Sequence, residues 1–319
     1  MTINAALLAD IGGTNVRLAT LKGGRIENVE SWLTALYPDF AAAVRSYAEL
    51  TGLTLPVTAA AVCAAGPVID GRIDLTNCAW NVSTAGIAEA TGAWGVALVN
   101  DFAAVAEGVA RLAADDVKQI GGDVIVADAP KVALGPGTGL GVASLVADGR
   151  GHWIVAPGEG GHVDLAATND REIAVVHQLA RQFGRVSVER VLSGPGLETL
   201  YLTLASLDGV STKTKPMAHD IAKAAFAKSD ALAIETVSLF TGWLGSVAGN
   251  LALTLGARGG VYVAGGIIAQ WGDSFDAAHF RRRFEAKGRM KSFLEPIPCY
   301  VVTAKDLSFR GLAEIARRL

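Results

Sequence analysis

Apolar residues in this chain fall mostly into short, nearly unbroken runs closed by glycine, and only in places into the three-and-four spacing of helices. The segment "LLADIGGTNVRLAT" (7–20) predicts a strand, a sharp turn and a second strand, with Asp10 where the first strand meets Gly12, Gly13 and Thr14. "VALGPGTGLGVASLV" (132–146) echoes it, and the echo predicts two related halves, each opening with a glycine-turned hairpin. Between them, "VTAAAVC" (57–63) and "VALVNDF" (96–102) read as buried strands. "FAAVAEGVARLAADD" (102–116), apolar at Val105, Val109 and Leu112, predicts a helix, and a strand feeding a helix through Asn100–Asp101 is an α/β signature. From Ser229 to Gly256, apolar steps of three and four through Val237, Phe240, Leu244, Val247, Leu251 and Leu255 predict one long helix. Gly242, Gly245 and Gly249 share much of one side of it. Each costs roughly 1 kcal/mol of helix propensity, so close packing of another element is expected there. "GGVYVAGGII" (259–268) predicts a strand ending at Gly265–Gly266 and then a helix start. "IPCYVVT" (297–303) predicts a strand, and "RGLAEIARRL" a closing helix whose basic last turn suits the helix dipole.

Composition narrows the class. With 319 residues the chain has room for two domains, and 51% hydrophobic against 18% charged residues supports large cores. A net charge of −3 without a basic run disfavours a nucleic-acid partner. The apolar runs read as broken before membrane-spanning length, and the first residues read as no signal peptide, so no membrane partner and a cytoplasmic location are expected. Cys63, Cys78 and Cys299 are isolated, with neither zinc spacing nor a disulfide framework.

Several stretches could carry chemistry. Glycine turns make anion cradles from backbone N–H groups, and Thr14 adds a hydroxyl. A carboxylate beside phosphate is repulsive unless a cation intervenes, so Asp10 suggests Mg²⁺, held directly or through water. The plainer alternative is an Asp that satisfies turn amides. The second turn, Gly137–Thr138–Gly139, favours a polyphosphate gripped from two sides. The spacing is not that of a P-loop. Gly265–Gly266 closes an apolar strand and reads either as an adenosine contact or as an ordinary turn. Asp101 could take a proton from a hydroxyl while Asn100 orients it, or Asp101 could cap a helix. "APGEGGHVDLA" (156–166) places Glu159, His162 and Asp164 in a glycine-rich segment that suits a hydroxyl-rich sugar better than a metal, and "VERVLSGPGLETLY" (188–201) adds Glu189, with Ser193 as a helix cap.

Taken together, "ADIGGTN", "AAGPV", "LTNCAW", "VNDF", "GPGTGLGVA", "PGEGGHVD", "ERVLSGPGLE", "GNLAL" and "GGVYVAGGI" occur in an order that resembles bacterial glucokinases of the non-zinc type, within the sugar kinase, heat-shock ATPase and actin superfamily. The resemblance implies an α/β, two-lobed actin-like ATPase fold of duplicated ribonuclease-H-like domains around a central cleft. It implies a small domain over 1–110, joined by 301–319, and a large domain over 111–300. ATP would lie against Ala9, Asp10, Ile11, Gly12, Gly13, Thr14, Gly137, Thr138, Gly139, Gly265 and Gly266, with Mg²⁺ at Asp10. Asp101 would be the catalytic base, and Asn100, Asp101, Glu159, His162 and Glu189 would bind glucose, with Asn77 and Gly66 nearby. Phosphorylation of glucose to glucose 6-phosphate, the first step of glycolysis, and a homodimer are the expectations. The rivals are a kinase for fructose, mannose or an N-acetylhexosamine, a silent sugar-binding regulator, and a non-sugar ATPase. The tail "KDLSFRGLAEIARRL" departs from the Asn-Pro-Gly-Leu-like turn common in the family, which leaves the docking of the last helix open.

Overall fold

Strand β1 (Ala6–Ile11) shows why its sequence is almost wholly apolar: it is buried on both faces, and Asp10 alone in it retains partial exposure. The computed structural model describes residues 5–75, 78, 80–212 and 215–319. Two compact units divide the chain. The first comprises Met1–Ala113, Val155–Pro157 and Ala304–Leu319, and the second Ala114–Ile154 and Gly158–Thr303.

In the first unit β1 pairs antiparallel with β2 (Asn15–Lys22), which pairs with β3 (Arg25–Leu33). After helix α1 (Phe40–Thr51), β4 (Ala59–Ala64) joins β1 in parallel. A small hairpin of β5 (Arg72–Asp74) and β6 (Asn81–Ser83) leads to α2 (Thr84–Thr91). Strand β7 (Gly95–Asn100) then lies parallel to β4 and runs straight into α3 (Asp101–Val109). The sheet order is β3-β2-β1-β4-β7. Strand alternation sorts the two faces. Leu7, Ala9 and Ile11 pack with Phe40, Val44, Tyr47 and Ile87, while Ala6, Leu8, Ala61 and Cys63 pack with Phe309, Leu312 and Ala316 of the last helix, Leu307–Arg317.

Two helix boundaries differ from the sequence reading. The helix expected over 102–116 stops at Val109. Beyond Leu112 it would have no large apolar anchor, and Asp115 and Asp116 would stand at a helix C-terminus, where the dipole disfavours them; they lie in a short 3₁₀ turn instead. The last helix starts at Leu307, ahead of Arg310, and docks on α3 through glycine. A Cβ on Gly108 would collide with the Leu307 backbone, and one on Gly311 with the Ala104 carbonyl.

The second unit repeats the scheme. Its sheet is built of β8 (Val117–Gln119), β9 (Lys131–Pro136), β10 (Leu140–Ala147) and β11 (Trp153–Gly158), the middle of which, Val155–Pro157, belongs to the first unit. Helices α4 (Asp170–Phe183), α5 (Gly194–Leu207), α6 (Ala218–Phe226) and α7 (Ala231–Leu255) follow. The remaining elements are β12 (Val261–Val263), α8 (Gly266–Trp271), α9 (Ala277–Glu285), α10 (Lys291–Leu294) and β13 (Cys299–Val302), after which the last helix is α11. The sheet order is β11-β10-β9-β12-β13-β8. Position by position β9, β10, β11, β12 and β13 follow the order of β1, β2, β3, β4 and β7. In both sheets the opening hairpin is antiparallel and the two strands that follow are parallel.

Helix α7 is the spine of the second core. It is long and apolar enough to cross a membrane by composition, which the broken runs of the sequence did not suggest. Two-thirds of its most apolar window is buried in the unit. Its glycines face α9: added Cβ atoms would meet His279 from Gly242, the Phe280 backbone from Gly245 and the Phe284 backbone from Gly249.

Candidate active site

The first glycine turn is tightly tied. The Gly12 N–H donates to the Asn15 carbonyl at 2.8 Å, and buried Thr34 donates its hydroxyl to the carbonyls of Gly13 (3.2 Å) and Thr14 (3.1 Å). Thr14 itself is exposed. Ala9 and Ile11 are buried strand residues on the face away from Asp10, so their part in a site is through the backbone. Asp10 sits opposite Arg17 in the β1–β2 register, and its Oδ2 accepts from Arg17 Nη2 at 2.6 Å and from the Ser308 hydroxyl at 2.7 Å. On the other side Asp10 is paired in register with Cys63, whose thiol is fully buried. Burial first, and then the neighbouring acids, push that thiol well above its ordinary value.

At the end of β7 the structure assigns the helix cap to Asn100. Its Oδ1 accepts from the N–H groups of Phe102 (2.8 Å) and Ala103 (3.2 Å), and its Nδ2 donates to the Gly66 carbonyl at 3.0 Å. The cap reading considered for Asp101 is therefore corrected: Asp101 is the first residue inside α3, partly buried, with Oδ1 2.8 Å from the Phe102 N–H. Gly66 has φ +123°, a conformation that favours glycine, which lets its carbonyl meet Asn100. Asn77 lies outside the described residues.

In the second unit the predicted residues gather around the start of β10. The Gly137 N–H donates to the Gly139 carbonyl, and the Gly194 N–H to the Gly137 carbonyl, both at 2.8 Å, with Thr138 exposed between them. Glu189 Oε2 accepts from the Leu140 N–H at 2.8 Å, and a Cβ on Gly139 would stand 2.5 Å from that carboxylate oxygen. Glycine at 139 is what admits Glu189. Ser193 caps α5 as expected, accepting from the Gly196 N–H at 3.0 Å while donating to the Glu189 carbonyl at 2.9 Å. Glu159 precedes and His162 ends a 3₁₀ turn, with His162 Nε2 3.8 Å from Glu159 Oε2 and both side chains more than half exposed. That turn sits on β10, because Cβ atoms on Gly160 and Gly161 would press on Val142 and Leu140. The N–H groups of Val188 and Leu165 donate to the carbonyls of Val163 and Val186, drawing the His162 and Glu189 segments side by side. Asp164 is taken up elsewhere, by Arg185 Nε at 2.6 Å. Gly265, with φ +113°, lies against Gly135 and Pro136, the residues that lead into Gly137, and Gly266 opens α8.

Sequence reasoning missed Arg17 and Ser308. Arg17 was within reach, since the register of a hairpin closed by Gly12–Thr14 sets it opposite Asp10. Ser308 had no such signal, lying 298 residues from Asp10. Among the described residues no group of three or more His, Cys, Asp or Glu side chains could hold a metal ion. One carboxylate beside a glycine turn is a donor set that would fit Mg²⁺ arriving already bound to phosphates and water.

Two sheets of like order, each opening on a Gly–Thr hairpin turn, are the architecture of a sugar kinase of the actin-like ATPase fold. Solved structures agree. A glucokinase from an Antarctic psychrotroph superposes with a TM-score of 0.86 at 31% identity, covering 100% of both chains. A ROK family glucokinase from Streptomyces griseus, in complex with glucose and AMPPNP, shares the fold with a TM-score of 0.67 at 20% identity, over 99% of this chain and 100% of its own. Glucokinases from Chromobacterium violaceum and Paramagnetospirillum magneticum are 41% and 42% identical over 96% of this chain and 88% and 96% of theirs. The family described as Glucokinase matches residues 7–319, and the chain belongs to the glucokinase family.

Proposed function

We propose that this chain transfers the γ-phosphoryl group of ATP to the 6-hydroxyl of glucose in the cytoplasm. The observation that carries the mechanism is at the end of β7. Asn100 takes the capping role, and the Asp101 carboxylate stands next to it at the carboxyl end of a parallel strand, where ligands of open α/β sheets bind. Asp101 accepts the proton of the glucose hydroxyl as its oxygen attacks the γ-phosphorus, and the bond to the bridging oxygen breaks to release ADP. Asn100, Glu159, His162 and Glu189 bind sugar hydroxyls, with Gly66 near them. The turns Gly12–Thr14 and Gly137–Gly139 donate backbone N–H groups to the phosphates, with Gly265 and Gly266 beside the nucleotide. Asp10 would hold Mg²⁺ through water, and that ion, when bound, offsets phosphate charge. A homodimer is proposed on the family's habit, and sedimentation checks it.

A coupled assay with Mg-ATP against a panel of hexoses tests the reading. Glucose is expected to give the highest kcat/KM, because polar groups built for one set of hydroxyls reject analogues by up to about 10⁴-fold. Higher efficiency with fructose, mannose or an N-acetylhexosamine overturns it. Excess EDTA is expected to abolish turnover, and full activity in EDTA removes the magnesium role.

A further inference from the structure

The residues that hold Asp10 come from the neighbouring strand β2 and from α11 near the other end of the chain. Arg17, Asp10 and Cys63 form a row across β2, β1 and β4, all on the face that α11 covers. Arg17 donates through Nη2 to Asp10 Oδ2 (2.6 Å) and to the Ser308 hydroxyl oxygen (2.8 Å). The Ser308 hydroxyl in turn donates to the same Asp10 oxygen (2.7 Å), closing a ring of three groups. Arg17 Nη1 reaches Asp306 Oδ1 at 2.7 Å, and its guanidinium lies over the Phe309 ring, 5.0 Å from the centroid. Asp306 adopts φ +54°, the left-handed region, at the entry to α11. The planar fork of arginine can serve two acids and a hydroxyl at once, and an ammonium cannot reproduce it.

This cluster exceeds what docking a helix requires. The buried apolar contacts of Phe309, Leu312, Ala313 and Ala316, and the glycine contact with α3, already seat α11. The polar ring instead converges on one carboxylate oxygen next to the Gly12–Thr14 turn. A carboxylate held by a single partner samples rotamers; one held from β2 and from α11 is restricted to one. We propose that Arg17 and Ser308 are positioning residues for Asp10, so that the seating of α11 sets the affinity for magnesium-bearing nucleotide. Asp306 and Ser308 supply the charge and hydroxyl that hold Arg17 and Asp10.

This rests on the reading that Asp10 serves the magnesium of the nucleotide, and the experiment separates the two. Calorimetry measures binding of a non-hydrolysable ATP analogue with Mg²⁺ and, separately, in EDTA, for wild type, D10N, R17K and S308A. S308A removes one hydroxyl and leaves the apolar seat of α11 intact, so it guards against loss of folding in R17K; circular dichroism checks both. R17K and S308A are expected to weaken the magnesium form about tenfold, about 1.4 kcal/mol, with the metal-free form and the KM for glucose unchanged. D10N is expected to do the same to a larger extent. If D10N is selective for the magnesium form while R17K and S308A are not, the positioning proposal fails and the Asp10 reading stands. If D10N shows no such selectivity, both fail. Equal weakening of both nucleotide forms in R17K and S308A marks a structural role and overturns the proposal.

Discussion

Asp101 and Asn100 are adjacent, similar in shape and both able to cap a helix, yet the structure divides the work between them. Asn100 spends its Oδ1 on two amides and its Nδ2 on Gly66, while Asp101 begins α3. Replacing Asp101 with Asn preserves shape and removes the proposed base. A drop of about 10²–10⁴-fold in kcat is expected, with glucose binding retained by calorimetry; near-wild-type kcat sends the search for the base elsewhere. Gly139 makes a second test at this scale. Alanine there would bring a methyl group 2.5 Å from the Glu189 carboxylate, which must then move off the Leu140 N–H. The expected outcome for G139A is a raised KM for glucose with a smaller change in kcat, because Glu189 is proposed to bind substrate and transition state alike. An unchanged KM would show that Glu189 can shift without cost.

Helices in this chain pack by removing side chains as much as by adding them. Gly245 lets the α9 backbone at Phe280 lie against α7, and Gly311 does the same between α11 and α3. Gly256 is a different case: it ends α7 at φ +60° with open space around it. G256A is expected to cost about 1–2 kcal/mol, the penalty of a left-handed residue. G245V adds overpacking, typically about 1–3 kcal/mol, to the loss of close backbone approach, and is expected to cost more than G256A. Urea denaturation of both variants compares them, and equal costs would show that the α7–α9 contact relaxes freely.

Across the second unit as a whole, stability passes through a buried charge. Glu172 on α4 is fully buried. It accepts from Arg283 of α9 at 2.5 Å and from the Thr168 N–H and hydroxyl at 2.7 and 2.9 Å. Burial opposes its ionisation, but these bonds outweigh burial and hold its carboxyl below the ordinary value. A depressed carboxyl contributes stability that is complete above its unfolded pKa and is lost as pH falls through the folded one. Wild type is therefore expected to lose part of its thermal stability below about pH 4. E172Q is expected to be less stable at pH 7 and to show a shallower acid decline; parallel pH profiles would remove Glu172 as a source. The duplicated sheets belong to this scale too. Gly66 after β4 and Gly265 after β12 both take positive φ at like positions of the two sheets.

Local physics wrote much of this molecule into its sequence. Runs of β-branched and small apolar residues mark strands buried on both faces, three-and-four spacing marks α7, and Gly–Thr turns mark both hairpins, because sterics and hydrogen bonding over a few residues decide each. The residues proposed for the site were legible for the same reason: glycine and carboxylate at a strand end form a local pattern. What the sequence left open were pairings between distant residues. Asn100 rather than Asp101 became the cap once the Gly66 carbonyl, 34 residues away, engaged its amide. Asp164 went to Arg185, and Glu189 to the amide of Leu140. Arg17 joined Asp306 across 289 residues. Such contacts depend on which face each strand presents after pairing and on where a terminal helix is seated. Sheet register and core packing settle both only when the whole unit is assembled.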